Sequence, residues 1–504
     1  MKRLFISLLS ILLILTLTAC GASDNGDPTE QPTTEDTVST EGATSAESTS
    51  ESATESTTEG DPDNDAPLFP YTLSYNLQAD GTYEVTGFAS GNNEHVALVI
   101  PATYEGKAVT KIADSAFVRE GSGPVVGKLT VSEGITHIGN NAFEKCTQLD
   151  EITLPSTLKE IGNRAFAGCF NLRTLSPLVA VESIGELAFY ECKNLTAVSL
   201  PGTLTSMGIA AFRNCLNLTD LTLAEGIVSI PEQCFYECLG LQEVTFPSTL
   251  SEIGRSAFSY TGLREVVLPE GIQVLKESSF NCVYLESITL PSTLTTIEKG
   301  AVWSSELKSL VIPDSVTSIA REAFTGGCDN LESLTVPFVG GAPCEESFNK
   351  YENQLGYIFG GTGYQEHHEM FFGEKLKTVT VLGGYMIAAN AFGECAYIEN
   401  VRFAEGIAVI WDSAFSGCTG LKTVVLPKSL EKVGRAFASL TEELDAVYYA
   451  GTEADWNSIT IDTANTGTAK FAASPRYYYS ETAPETAGNY WHYVDGVPTV
   501  WAAE

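Results

Sequence analysis

The segment Ile152-Thr-Leu-Pro-Ser-Thr-Leu-Lys-Glu-Ile-Gly-Asn-Arg-Ala-Phe166-Ala-Gly-Cys169 has a near copy just before it. That copy is Leu129-Thr-Val-Ser-Glu-Gly-Ile-Thr-His-Ile-Gly-Asn-Asn-Ala-Phe143-Glu-Lys-Cys146. Further copies end at Phe189/Cys192, Phe212/Cys215 and Phe235/Cys238. Phe143, Phe166, Phe189, Phe212, Phe235 and Phe258 recur at a strict 23-residue spacing. Phe280 follows at 22, Val302 takes the same place in the next copy, and Phe324 comes 22 later. Phe392, Phe415 and Phe437 resume the series after an insertion. Self-similarity at this period marks a solenoid. About 13 coils of 22–23 residues are readable between Gly127 and Leu444.

Each coil has a physical logic. A stretch such as Glu-Ile-Thr-Leu-Pro (151–155) alternates outward and inward side chains, as a strand does. Pro155, Pro201, Pro247, Pro269, Pro291, Pro313 and Pro427 end that strand, because proline has no N–H to give a ladder. A second short apolar stretch follows, as in Leu158-Lys-Glu-Ile161-Gly162. The Ala-Phe-x-x-Cys step is expected to be one tight helical or 3₁₀ turn. One coil cannot close a core alone, so stacking must place Leu on Leu, Ile on Ile and Phe on Phe.

The motif L-x-x-[IV]-x-L-P-x-x-L-x-x-I-G-x-x-A-F-x-x-C resembles the BspA-like class of bacterial leucine-rich repeats. The resemblance covers nearly the whole folded chain. It implies a β-rich leucine-rich-repeat solenoid with a parallel-β concave face and a cap at each end. Residues 67–126 are then an N-terminal cap and first coil, with Asp80-Gly81 as a hairpin turn. Residues 127–444 are the repeats, with an insertion at 338–375. Residues 445–504 form a C-terminal capping module rich in Tyr and Trp. The resemblance further implies a cell-surface role in adhesion or binding to host matrix.

The ends of the chain read differently. Met1-Lys2-Arg3 precedes an apolar run from Leu4 to Leu17 that is short for a membrane span and has the layout of a signal peptide. Leu17-Thr18-Ala19-Cys20 resembles the bacterial lipobox, which implies removal of the signal segment within residues 1–20 and a lipid on Cys20. That lipid would be the membrane attachment, since more than one acyl chain gives stable anchoring. Residues 21–66 hold 13 acidic side chains, no Lys or Arg and no aromatic residue. Such a composition cannot bury enough apolar area to offset chain entropy, and a disordered tether is expected. Asp61, Asp63 and Asp65 open like an EF-hand loop, but Ala66 and Thr72 stand where the pattern needs Gly and Glu.

The formal net charge of the chain is -36, with 28 basic and 64 acidic side chains. Nucleic acid is excluded as a partner, because binding there rests on cations displacing counterions from phosphates. The five cysteines 146, 169, 192, 215 and 238 form a single column, which favours free, buried thiols that act as small apolar side chains. His367-His368-Glu369 is the one dense imidazole cluster and lacks the second histidine of a zinc helix. No cofactor, metal site or catalytic constellation is legible.

The expected binding surface is the outward side of the strands. One column runs Thr130, Thr153, Ser176, Ser199, Thr222, Thr245, Val267, Thr289, Val311, Thr335, Thr380, Arg402 and Val425. A second, more acidic in its first half, runs Lys128, Glu151, Thr174, Ala197, Asp220, Glu243, Glu265 and onward to Thr423. The insertion 338–375 carries enough aromatic residues to pack, and is expected to project from the array and offer Tyr357 and Phe359 to a ligand. A surface protein that binds an extracellular protein or glycan is the leading reading. The alternatives are a surface enzyme with its site in the insertion or the C-terminal module, or a purely structural spacer.

Overall fold

The computed structural model describes residues 71–118, 124–324, 328–344, 351–361, 373–435, 437, 444–464, 466–485 and 488–501. Cys20, the tether and His367-His368-Glu369 lie outside these residues. The described chain is a β-solenoid of about 15 turns.

Every coil has three sides. The first is the strand predicted from the alternating pattern. Val125–Val131, Glu151–Thr153 and Thr174–Leu175 pair in parallel, with Leu129 opposite Ile152 and Ile152 opposite Leu175. The same register runs through Ser333–Val336, Thr378–Val381, Asn400–Phe403 and Thr423–Leu426. Inward residues such as Leu129, Ile152 and Val198 are buried, while Thr130, Thr153 and Ser199 are exposed. The second side is a line of two-residue strands: His137–Ile138, Glu160–Ile161, Ser183–Ile184 and Ser206–Met207. The recurring geometry at its end explains the Ile-Gly pair. A Cβ placed on Gly162 would lie 2.6 Å from the backbone nitrogen of Asn140 in the preceding coil, so only glycine lets the two chains approach this closely.

The third side differs from the helical turn expected of Ala-Phe-x-x-Cys. It is a chain of turns in which N–H groups alternate in direction. Ala142, Glu144 and Cys146 donate to carbonyls three residues back in their own coil. Asn141, Phe143 and Lys145 donate instead to Asn163, Ala165 and Ala167 of the next coil, at 2.7–2.8 Å. Asn141 and Lys145 adopt left-handed backbone (φ 57° and 60°) to turn their neighbours alternately. Every backbone donor from Asn141 to Cys146 is used, which offsets the cost of that conformation.

The phenylalanines stack as the spacing requires. Centroids of Phe143 and Phe166 are 5.3 Å apart and those of Phe189 and Phe212 are 5.1 Å apart, with ring planes within 3° of parallel. All are fully buried.

The ladder extends past both limits of the legible repeats. At the N-terminal end, His95–Ile100 pairs in parallel with Val125–Val131. At the other end, Ala446–Tyr449, Arg476–Tyr479 and Tyr490–Val494 add to the same sheet, which closes with the antiparallel strand Val497–Val500. The sequence at these ends lacks the Ala-Phe-x-x-Cys signature, so a count of phenylalanines falls short of the number of turns.

The insertion is the main correction. Its described residues are woven into the array rather than projecting from it. Gly341 accepts a hydrogen bond from the Ile319 N–H, where a second-side strand would stand. Leu355–Phe359 forms a 3₁₀ helix on the third side. There Ile358 accepts from the Phe324 N–H at 3.0 Å, and the Leu355 N–H donates to Ala391 at 2.9 Å. Phe359 is fully buried 6.3 Å from Phe324, so it fills the phenylalanine column and cannot meet a ligand. Tyr357 is half-buried against Tyr351, and its carbonyl accepts from the Glu322 N–H. The 22–23 residue rule breaks here because one coil takes a longer path through the same core.

Candidate functional site

The eleven cysteines among the described residues are buried, and none is in a disulfide. Their column has a use that sequence did not suggest. The Cys169 thiol donates to the Phe143 carbonyl at 3.3 Å, Cys192 to Phe166 at 3.4 Å, Cys215 to Phe189 at 3.4 Å and Cys238 to Phe212 at 3.3 Å. Each thiol therefore joins its own coil to the one before, as a small apolar group with a weak donor. Burial pushes the Cys169 and Cys192 thiols well above their ordinary range, and Cys282 up to about 12. These thiols are built against nucleophilic chemistry, because the thiolate is the reactive form.

The corner after the strand carries a second device. The Glu225 carboxylate accepts from the Ser248 N–H at 2.9 Å and from the Ser248 hydroxyl at 2.9 Å, one coil on. Glu133 does the same with Ser156, and Glu270 with Ser292. In return the Thr157 and Thr249 hydroxyls accept from the N–H groups of Gly134 and Gly226. Carboxylates that sequence left unassigned in so acidic a chain are thus staples between coils.

The first outward column changes along the array. From Thr130 to Val311 the first column is largely open to solvent, and its two exposed apolar members are Val267 (66%) and Val311 (58%). Thr130, Thr153, Ser199 and Thr289 stand exposed, and Thr335 half-buried. Ser176 is partly used, since its hydroxyl accepts from the Leu154 N–H at 2.7 Å. Beyond Thr380 the column is covered. The Arg402 guanidinium donates to the Gly496 carbonyl at 2.7 Å, and Gly496 is the tip of the hairpin Tyr490–Val494/Val497–Val500. Val425, although outward in register, is 3% exposed. The buried Trp491 anchors this hairpin, its indole donating to the Tyr449 carbonyl at 3.0 Å. The aromatic residues of the C-terminal module seal the last coils and the end of the face.

Of the outward columns, the structure brings Thr222, Thr245 and Val267 of the first and Asp220, Glu243 and Glu265 of the second together in one concavity. It is a shallow open cleft of about 930 Å³. Leu221, Val244, Phe246 and Val267 supply apolar walls, and Asp220, Glu243 and Glu265 supply charge. No Lys or Arg lines it among the described residues. The cleft lies at one of the breaks in the ladder: Asp220–Leu223 pairs backward with Ala197–Leu200, Glu265–Val267 pairs forward with Ser287–Thr289, and 243–246 pairs with neither. No group of His, Cys, Asp or Glu able to hold a metal ion is found among the described residues. No helix among them is long and apolar enough to cross a membrane.

Stacked coils with parallel strands, buried leucines and a stacked phenylalanine column define a leucine-rich-repeat protein. The family described as BspA type leucine rich repeat region matches residues 110–227, 208–332 and 367–452, and the chain belongs to it. No curated protein matches the chain. Among solved structures it is similar to a leucine rich cell surface protein from Faecalibacterium prausnitzii, at 24% identity and a TM-score of 0.38, over 79% of this chain and 99% of that one. It is also similar to a leucine-rich repeat protein from Bacteroides ovatus, at 21% identity and a TM-score of 0.41, over 82% of this chain and 99% of that one. A T. pallidum leucine rich repeat protein shares 27% identity at a TM-score of 0.34, over 37% of this chain and 86% of that one.

Proposed function

We propose that this protein is a lipid-anchored binding or adhesion protein of the bacterial cell surface, and that its strand face takes an extracellular protein or glycan. The observation that carries the reading is the open stretch of that face from Thr130 to Val311, exposed along most of its outward column and free of any covering element among the described residues. A rigid, solvated sheet of side chains two columns wide is a surface for recognition. The buried, raised thiols and the stapled carboxylates leave the binding reading ahead of an enzymatic one. The signal-like run and Cys20 supply the anchor.

An unbiased pull-down tests it. The purified chain, immobilised, is offered host-matrix and cell-wall extracts, and retained species are identified. A protein or glycan retained by the chain, and lost when the outward residues Ser199 and Thr289 are both changed to Arg, supports the reading. Retention of nothing, or retention indifferent to the face, overturns it. Cys20→Ser should shift the protein from the membrane fraction, and unchanged membrane retention sinks the anchor.

A further inference from the structure

The cleft at 219–270 says more about the ligand than the rest of the face does. Asp220, Glu243 and Glu265 follow one another in the second outward column, each exposed. Where a cation does stand in that column, it is matched: Lys128 pairs with Glu151 at 2.7 Å. Arg264, beside Glu265 in sequence, is engaged by Glu286 at 2.7 Å and does not line the cleft. The three carboxylates thus stand exposed around a cleft that Leu221, Val244 and Val267 line with apolar surface. The strand position between Asp220–Leu223 and Glu265–Val267, residues 243–246, pairs with neither neighbour.

We propose that this cleft in the unpartnered strand face docks an extended protein segment bearing Lys or Arg side chains. The inference rests on the binding role proposed above and names the partner's chemistry. Lys and Arg each carry an aliphatic stem and a cationic head, so the stem covers Val267 and Leu221 while the head meets the carboxylate column. A neutral glycan would leave the carboxylates without a counter-charge and the valine without an apolar partner. The covered end of the same face shows that it accepts chain laid across it: the terminal hairpin reaches Arg402 with a main-chain carbonyl. There the face offers a cation to a carbonyl; at the cleft it offers carboxylates and takes the opposite charge.

The test uses the whole chain and three labelled decapeptides, alternating Val with Lys, with Ser or with Glu, read by fluorescence anisotropy. A chito-oligosaccharide serves as the glycan probe. The Lys peptide should bind, at least about tenfold tighter than the Ser peptide, and weaken as salt rises. The double variant Glu243→Lys/Glu265→Lys should lose at least about tenfold in affinity for it. The variant Glu186→Lys/Glu431→Lys, which makes the same charge change at exposed positions off the strand face, should bind as the parent does. Thermal melting of each variant checks the fold. Equal binding of the Lys and Ser peptides, equal loss in the two variants, or binding of the oligosaccharide alone overturns the inference. A ligand pulled from extracts that still binds the Glu243→Lys/Glu265→Lys protein leaves the binding role standing and removes the cleft from it.

Discussion

The hydroxyl of Tyr71 sits against the free edge of the first ladder strand, accepting from the Val99 N–H at 2.9 Å and donating to the Ala97 carbonyl at 3.1 Å. His95–Ile100 pairs on one side with Val125–Val131 and, among the described residues, has no strand on the other. An unpaired edge invites pairing with another chain, and a side chain that fills its hydrogen bonds blunts it. Tyr71→Phe keeps the ring on Phe88 and removes the plug. It should cost about 1 kcal/mol, because one half-buried donor loses its partner. Hydrogen exchange at Val99 should quicken while that at Leu129 holds. Unchanged protection at Val99 would show that the hydroxyl is dispensable.

The Glu–Ser staples give acid sensitivity a definite sign. The Ser248 N–H and hydroxyl hold the Glu225 carboxyl below the usual glutamate range, and the same arrangement lowers Glu133 and Glu270. A carboxyl whose folded pKa is depressed adds stability that is fully present above its unfolded pKa. That stability is lost as pH falls through the lower folded value. The protein should therefore melt at lower temperature as pH drops below about 4.5. Glu225→Gln should melt earlier than the parent near neutral pH and show a shallower fall on acidification. Parallel pH profiles for the two would remove the staple from the account.

Much of this was legible in the sequence, and the failures have physical causes. The inward positions were readable because strand alternation and coil stacking impose one period on Leu129, Ile152 and Phe143 alike. The Ser248 partner of Glu225 was not, because it lies one coil away and the chain offers many carboxylates. The cover over Val425 was hidden for a similar reason: Gly496 is 94 residues from the Arg402 it meets. The third side was misread because left-handed residues such as Leu187 and Glu191 adopt a conformation that propensity disfavours, stabilised only by the next coil. Thr222 and Thr245 were named from periodicity, but the gap that sets them around a cleft has no signature in the repeat.

The thiol column should be unreactive in the folded protein. Cys169, Cys192 and Cys238 are fully buried and donate to carbonyls, and burial raises each thiol. A charged alkylating reagent should label none of the eleven described cysteines in native buffer and all of them in denaturant. Rapid native labelling at Cys192 would mean that the coils breathe open there. Cys192→Ser should be tolerated, since a hydroxyl can donate to Phe166, whereas Cys192→Leu should cost about 1–3 kcal/mol by overpacking.

Gly162 offers a test of coil spacing. Its absent Cβ leaves room for the backbone at Gly139 and Asn140 of the preceding coil, all within 2.9 Å of where that atom would lie. Gly162→Ala must push two coils apart at a corner held by the Gly162 N–H to Ile138 hydrogen bond at 2.8 Å. A loss of about 1–3 kcal/mol is expected, far above that of an alanine placed on exposed Thr153. Equal melting temperatures for the two variants would show that the corner yields freely.

The insertion makes the sharpest distinction between a decoration and a coil. A projecting loop could be cut out and bridged with little effect, because repeat stability is mostly nearest-neighbour. Leu355, Ile358 and Phe359 are instead fully buried, between Phe324 on one side and Ala391 on the other. Removing 338–375 takes out the coil through which the N-terminal and C-terminal halves touch on the third side. Phe359→Ala alone should cost about 3–5 kcal/mol, the range for emptying an aromatic site in a core. Its effect should be local. Protection of the Phe324 and Leu355 amides should collapse while that of Phe166, far back in the array, holds. Substituting Glu352, exposed on the same insertion, should change neither. If Phe359→Ala melts like the parent, the buried 3₁₀ turn is not the link between the halves, and the insertion returns to the surface as a candidate for binding.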